Sequence, residues 1–254
     1  MTATRSPSAT PTTTTNPTPS PPVWVVGASP LPLRPDGFGE VLPTPPVLRN
    51  RHLQAADVLP PPSDGRFHAT SAPISAAIRD RMGSTYTEGC PTPVSDLRYL
   101  TLVFRGFDGR AHTGELIVNA RAVGPTLTAF RRLFRLGFPL EEMRLPGTGD
   151  VAAGPTGDGN DTAGFVCRTA RGQTRFSAHA YGLAIDVNPF QNPYVKGDLV
   201  LPELASAYRD RSWHRAGMFL SGSAAVRAFT DQGFTWGGNF HHPKDYQHMT
   251  LTGT

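Results

Sequence analysis

No stretch of this sequence stays apolar for the roughly 18 residues that a membrane-crossing helix needs, so no span is expected. Cysteine is nearly absent. Cys90 and Cys167 are the two present, and neither belongs to a CxxC pair, which removes a zinc–thiolate cluster from consideration. In an oxidising compartment the two could close one long loop as a disulfide; otherwise they are two buried thiols. Lysine is also scarce, because 22 of the 24 basic residues are Arg. The net charge is only +4, and the arginines are scattered except for Arg131, Arg132 and Arg135. Those three fall on one side of an expected helix, as a solvated face would, so neither nucleic acid nor another polyanion is an expected partner.

Residues 1–22, MTATRSPSATPTTTTNPTPSPP, lack aromatics and any hydrophobic period. A segment with so little apolar surface cannot offset the entropy of ordering, and a disordered tether is expected. The usual layout of a secretory leader is missing too: Arg5 is followed by Thr and Pro, and the first apolar burst is Val23–Val26. Prolines remain dense through Pro60–Pro62, so residues 23–66 read as an extended lead-in, with the compact domain over 67–254.

Within that domain, 97–105 (LRYLTLVFR) alternates as a strand. Asp108-Gly109 marks a tight turn, and Glu115–Asn119 returns as a second strand. A helix is expected from Pro125, with Leu127, Phe130, Leu133 and Phe134 at helical spacing and a stop at Gly137. Residues 146–164, rich in Gly, Asp, Asn and Thr, read as a long loop. Leu183–Asn188 reads as a strand that turns Leu183, Ile185 and Val187 one way and Ala184, Asp186 and Asn188 the other. A second helix is expected from about Ser223 to Gly233, and a last strand near Tyr246–Leu251. The fold class is therefore α+β: a single domain with a mainly antiparallel sheet covered by a few helices.

The chemistry-bearing residues lie late in the chain. His179 and Asp186 are seven residues apart around Gly182, and Asp245 and His248 follow near the C-terminus. Two imidazoles and one carboxylate suit a single Zn2+ per chain with a fourth position left for solvent, an open arrangement typical of catalytic zinc. Asp245 then remains as a general base. On a regular strand Asp245 and His248 would face opposite ways, so a bulge or turn is required between them. Arg168, at the end of the long loop, is the candidate for stabilising a developing oxyanion.

The frame Ser177-x-His179-x-x-Gly182-x-Ala184-x-Asp186, followed by Asn188-Pro189 and Asn192-Pro193-Tyr194, resembles the zinc D-alanyl-D-alanine carboxypeptidase and L-alanyl-D-glutamate endopeptidase family. Members of that family include vancomycin-resistance D,D-peptidases and phage endolysins. Gly114–Asn119, Phe138–Met143, Phe165–Arg168, Trp236-Gly237-Gly238 and Asp245–His248 look like its endolysin-like branch, so the resemblance covers roughly residues 88–250. It implies a hedgehog/D,D-peptidase-like fold. It also implies zinc on His179, Asp186 and His248, with Asp245 as base, Arg168 on the substrate carbonyl, and Ser177, Tyr181 and Trp236 as substrate contacts. Phe240 stands where a Trp is expected and Met249 where Phe is usual, apolar exchanges that touch pocket shape rather than chemistry. His241 and His242, on a Pro-containing loop, are expected to be exposed. The implied substrate is the peptide of the bacterial cell wall, cut by a monomer that lies outside the cell or on the wall, where a Cys90–Cys167 disulfide would form. The competing expectation is a zinc-containing domain of the same fold that binds partners without catalysis. Such a relic would be free to lose Asp245 and Arg168, and both are present.

Overall fold

The computed structural model describes residues 1–2, 24–170 and 173–252. From residue 3 onward the tether expected over 1–22 lies outside the described residues. Ten strands and four α-helices make up the regular structure. In chain order they are β1 (Ala69–Pro73), α1 (Ala76–Met82), β2 (Leu97–Gly106), β3 (Ala111–Asn119), α2 (Val123–Leu136), β4 (Pro139–Leu140) and α3 (Thr148–Ala152). Then come β5 (Ala184–Asp186), β6 (Tyr194–Lys196), β7 (Leu199–Leu201), α4 (Ala224–Thr230), β8 (Thr235–Trp236), β9 (Lys244–Asp245) and β10 (His248–Thr250). The fold is α+β, with antiparallel pairing throughout except where β4 runs parallel to β2.

The β2–β3 hairpin forms where the alternation and the turn chemistry place it. Gly109 adopts φ +76°, a conformation that costs glycine no Cβ clash. Asp108 Oδ1 accepts the Arg110 amide at 2.9 Å to hold the turn. Leu100, Leu102, Phe104, Leu116 and Val118 then face one core. α2 begins at Val123, two residues before the expected start, because Pro125 fits within a first turn whose N–H groups have no intrahelical acceptor anyway. It lays Phe130 and Leu133 on that core and ends at Gly137 in the left-handed region. α4 starts on Ser223, whose hydroxyl accepts the Val226 amide, and its Phe229 meets Phe130 edge-on at 5.6 Å. None of the described helices is long and apolar enough to cross a membrane.

The loop expected over 146–164 contains a short helix, α3. The Gly147 amide donates to the Asp150 carboxylate at 2.7 Å and Arg144 pairs with the same carboxylate, giving five residues a local reason to turn. The remainder of this segment runs extended and joins the sheets. The Thr162 amide reaches Glu142 O, Ala163 and Asp186 exchange both backbone bonds, and the Phe165 amide reaches Ile117 O. β10 pairs on its two sides with β5 and β8.

Packing also extends to the N-terminal side of Phe67. Leu48 is buried in a second cluster with Phe190, Val200, Leu204 and Tyr208, against which Trp24, Leu31 and Leu53 lie. Arg51 is fully buried and pairs with Glu141 at 2.5 Å. Asn160 also donates to Glu141, and Arg51 reaches the Asp158 carbonyl. The extended lead-in is thus held to the domain by an ion pair as well as by apolar contact. Cys90 and Cys167 are joined in a disulfide that links the loop after α1 to the segment preceding Arg168.

Candidate metal centre

His179 sits in a single 3-10 turn, Ala178–Tyr181, opened by Ser177 and closed by Gly182. The Ser177 hydroxyl accepts the His179 amide at 3.4 Å. Gly182 has φ +64°, and a Cβ there would lie 2.6 Å from the Asn119 amide nitrogen. Glycine is therefore required twice over: by the left-handed stop and by the approach to β3. β5 follows at once and carries Asp186, which stands directly opposite His248 in the antiparallel register with β10. Opposed residues share a face of the sheet, so the carboxylate and the second imidazole converge.

The three donor atoms close a small triangle. His179 Nε2 and His248 Nδ1 are 3.2 Å apart, His248 Nδ1 and Asp186 Oδ1 3.0 Å, and His179 Nε2 and Asp186 Oδ2 3.3 Å. Ligands about 2.0–2.1 Å from a tetrahedral zinc must stand roughly 3.3 Å from one another. The set fits that ion closely.

The tautomer fits as well. His179 Nδ1 donates to the Gly164 carbonyl at 2.7 Å, which leaves Nε2 with its lone pair directed into the triangle. A Cβ on Gly164 would meet Ile117 O at 2.5 Å, so the carbonyl that orients the ring depends on a glycine pressed against β3. Among the described residues, this His-Asp-His trio is the one group of three or more such side chains whose donor atoms converge on a common point.

Asp245 lies at the end of β9, and a two-residue turn, Tyr246–Gln247, separates it from His248. That turn supplies the break required for both residues to face the same centre. Gly237 sits against the pair: a Cβ there would come within 2.9 Å of the Asp245 Cβ and 3.2 Å of the His248 Cβ. Asp245 Oδ1 is buried without a hydrogen-bond partner.

The charges respond to this crowding. Burial pushes the Asp245 carboxyl up to about 6, with the Asp186 charge adding to the rise against the pull of the imidazoles. Burial also opposes ionisation of Asp186, but attraction to His179 and hydrogen bonds from both rings outweigh it and hold that carboxyl well below the ordinary range. His248 is raised: burial works against its charged form, and Asp186 more than offsets it.

Arg168 is brought to the edge of this centre. Its carbonyl accepts the Ser177 amide at 3.1 Å, and its charge acts on His248. The guanidinium itself makes one bond, to the Thr169 carbonyl. Tyr181 is exposed beside the turn, and its carbonyl accepts from Asn119.

Trp236, expected among the substrate contacts, is placed otherwise. It stands opposite Met249, the neighbour of His248, and so points to the reverse face of the sheet. There it is buried in the main core, with its indole donating to the Tyr246 carbonyl. Phe240 rather than Trp236 comes near the metal side, 6.5 Å from the His248 ring. His241 and His242 are exposed. The residue that sequence reasoning missed is Gly164, whose role rests on a backbone carbonyl and leaves no side-chain signature.

No curated protein and no solved structure matches the chain. Residues 171–251, roughly a third of the sequence, match the family model described as D-alanyl-D-alanine carboxypeptidase; that stretch holds all three donors and Asp245, and the match supports a peptidase of the zinc-dependent kind.

Proposed function

We propose that this protein is a zinc-dependent peptidase that hydrolyses peptide bonds flanked by D-amino acids in the stem peptides of peptidoglycan. The observation that carries the reading is the donor triangle, with edges of 3.0, 3.2 and 3.3 Å, beside a buried carboxylate oxygen that has no partner. A zinc ion on His179, Asp186 and His248 would supply Lewis acidity, lowering the pKa of a water and polarising the scissile carbonyl.

The remaining chemistry belongs to the chain. Asp245, ionised, takes a proton from the attacking water at its free Oδ1 and returns it to the leaving amine nitrogen. Arg168 has guanidinium N–H groups beyond its single backbone bond, and these hold the substrate carbonyl oxygen as negative charge develops there. Gly164 keeps the His179 ring in one tautomer. Ser177 and Tyr181 border the approach on the same turn as His179. The disulfide supports a place outside the cell or on its wall, where such pairs persist.

The test compares wild type with Asp245→Ala for metal content and for release of products from purified wall peptides. Both proteins are expected to bind about one zinc per chain, with products from wild type alone. Turnover by the variant would remove Asp245 from its role. The masses of the products separate release of terminal D-Ala from cleavage between L-Ala and D-Glu.

A further inference from the structure

The reverse side of the strands that carry the metal centre opens into a cavity of about 560 Å³, bordered by Arg211, His214, Phe219, Trp236, Lys244 and Tyr246 among others. It is separate from the donor triangle by the alternation of the strands. Trp236 pairs with Met249, so it faces away from His248, and Lys244 precedes Asp245 in β9, so its side chain leaves on the other face. None of the three donor residues nor Asp245 borders the cavity.

Its lining is cationic without compensation. No carboxylate is among the residues that border it. The Arg211 guanidinium is held by carbonyls of Gln191, Tyr208 and Phe219 and by Asn192 Oδ1, and it lies 4.4 Å over the Tyr246 ring. A half-buried guanidinium fixed only by neutral oxygens keeps its full charge facing the cavity, and burial lowers its pKa to about 10. Arg215 next to this wall is likewise held by carbonyls, of Arg49 and Ala207. Lys244 Nζ makes one hydrogen bond, to the Gly238 carbonyl at 3.2 Å, so two of its three N–H groups remain for a ligand. Ser221 and Asn239 bring further donors at the rim.

We infer that this cavity is a second binding site, for a phosphate monoester of monosaccharide size. Two fixed positive charges and the free N–H groups of Lys244 match a doubly charged oxyanion, and the volume leaves room for a sugar ring between that anion and the aromatic wall. The site is independent of the proposed peptidase chemistry.

The experiment is calorimetric titration of the zinc-loaded protein with glucose 6-phosphate, inorganic phosphate and glucose. Saturable binding of glucose 6-phosphate is expected, with weaker binding of inorganic phosphate and none of glucose. Lys244→Met, which removes a charge-assisted bond, is expected to weaken glucose 6-phosphate by about tenfold or more, with Lys244→Arg restoring most of the affinity. Ser221→Trp, placed at the exposed rim, is expected to block the cavity without entering the core. Equal binding by wild type and both Lys244→Met and Ser221→Trp would assign the phosphate to the metal instead and overturn the inference. So would no heat from glucose 6-phosphate, or equal affinity for glucose.

Discussion

Asp245 is useful to the proposed reaction only as a carboxylate, and burial pushes its pKa up to about 6. Above that value the group is ionised and can accept a proton; below it the group is neutral and cannot. A bound zinc ion adds positive charge and favours the carboxylate. The acid limb of kcat/KM is therefore expected at or below about pH 6, with activity flat above it until another group titrates. A pH–rate profile checks this, and a limb displaced upward, nearer pH 8, would point to a different base. Gly164 belongs to the same scale. Replacing it with Ala puts a Cβ 2.5 Å from Ile117 O, so the carbonyl that orients His179 must move. Gly164→Ala is expected to lower zinc affinity by about 10–100-fold, in line with loss of other outer partners of metal-bound imidazoles, as read by competition with a chelator. The four chemical residues were legible in the sequence because imidazoles and carboxylates in a spaced frame have few other reasons to recur together. Gly164 was not, since a carbonyl is carried by every residue and only its position in space distinguishes it. Trp236 was misplaced for a related reason: the motif names the residue, but the register with Met249 decides which face it takes.

Among elements, the turn Ala178–Tyr181 and the hairpin β2–β3 depend on one another through Gly182. Gly182→Ala would force a side chain into the left-handed region and against the Asn119 amide. A loss of roughly 1–3 kcal/mol is expected from strain of this kind, with reduced zinc content, measurable by urea unfolding and metal assay. The disulfide acts at the same level, tying the segment before Arg168 to the loop after α1 across 77 residues of sequence. Closing a loop of that length is worth about 4.5 kcal/mol in the chain-entropy model. Reduction, or Cys90→Ser, is therefore expected to lower the urea midpoint clearly, and an unchanged midpoint would show that the bond constrains little. The hairpin, α2 and α4 were readable because periodicity, Asp-Gly and the terminal glycines are local signals. α3 was hidden because its turn relies on Arg144 and Asp150 rather than on an apolar period.

Across the whole molecule, the extended residues 24–66 are joined to the domain by chemistry that composition does not reveal. Proline density suggested a lead-in along the surface, and most of it is exposed, yet Arg51 is fully buried against Glu141. Removing one member of a buried pair leaves the other uncompensated, and Arg51→Ala is expected to cost about 3–5 kcal/mol. A value near zero by urea unfolding would mean that the lead-in is only loosely attached. This contact was illegible because its partners are 90 residues apart and each is an ordinary charged residue by itself.

The metal centre is where these scales meet, and its ligand shell is the central claim. Zinc K-edge X-ray absorption of the purified protein tests it most directly. The expected spectrum has two imidazole nitrogens and a mixed oxygen shell at about 2.0–2.1 Å, with no sulfur, and His248→Ala removes one imidazole contribution. A spectrum with sulfur neighbours, or one unaltered by His248→Ala, would contradict the site.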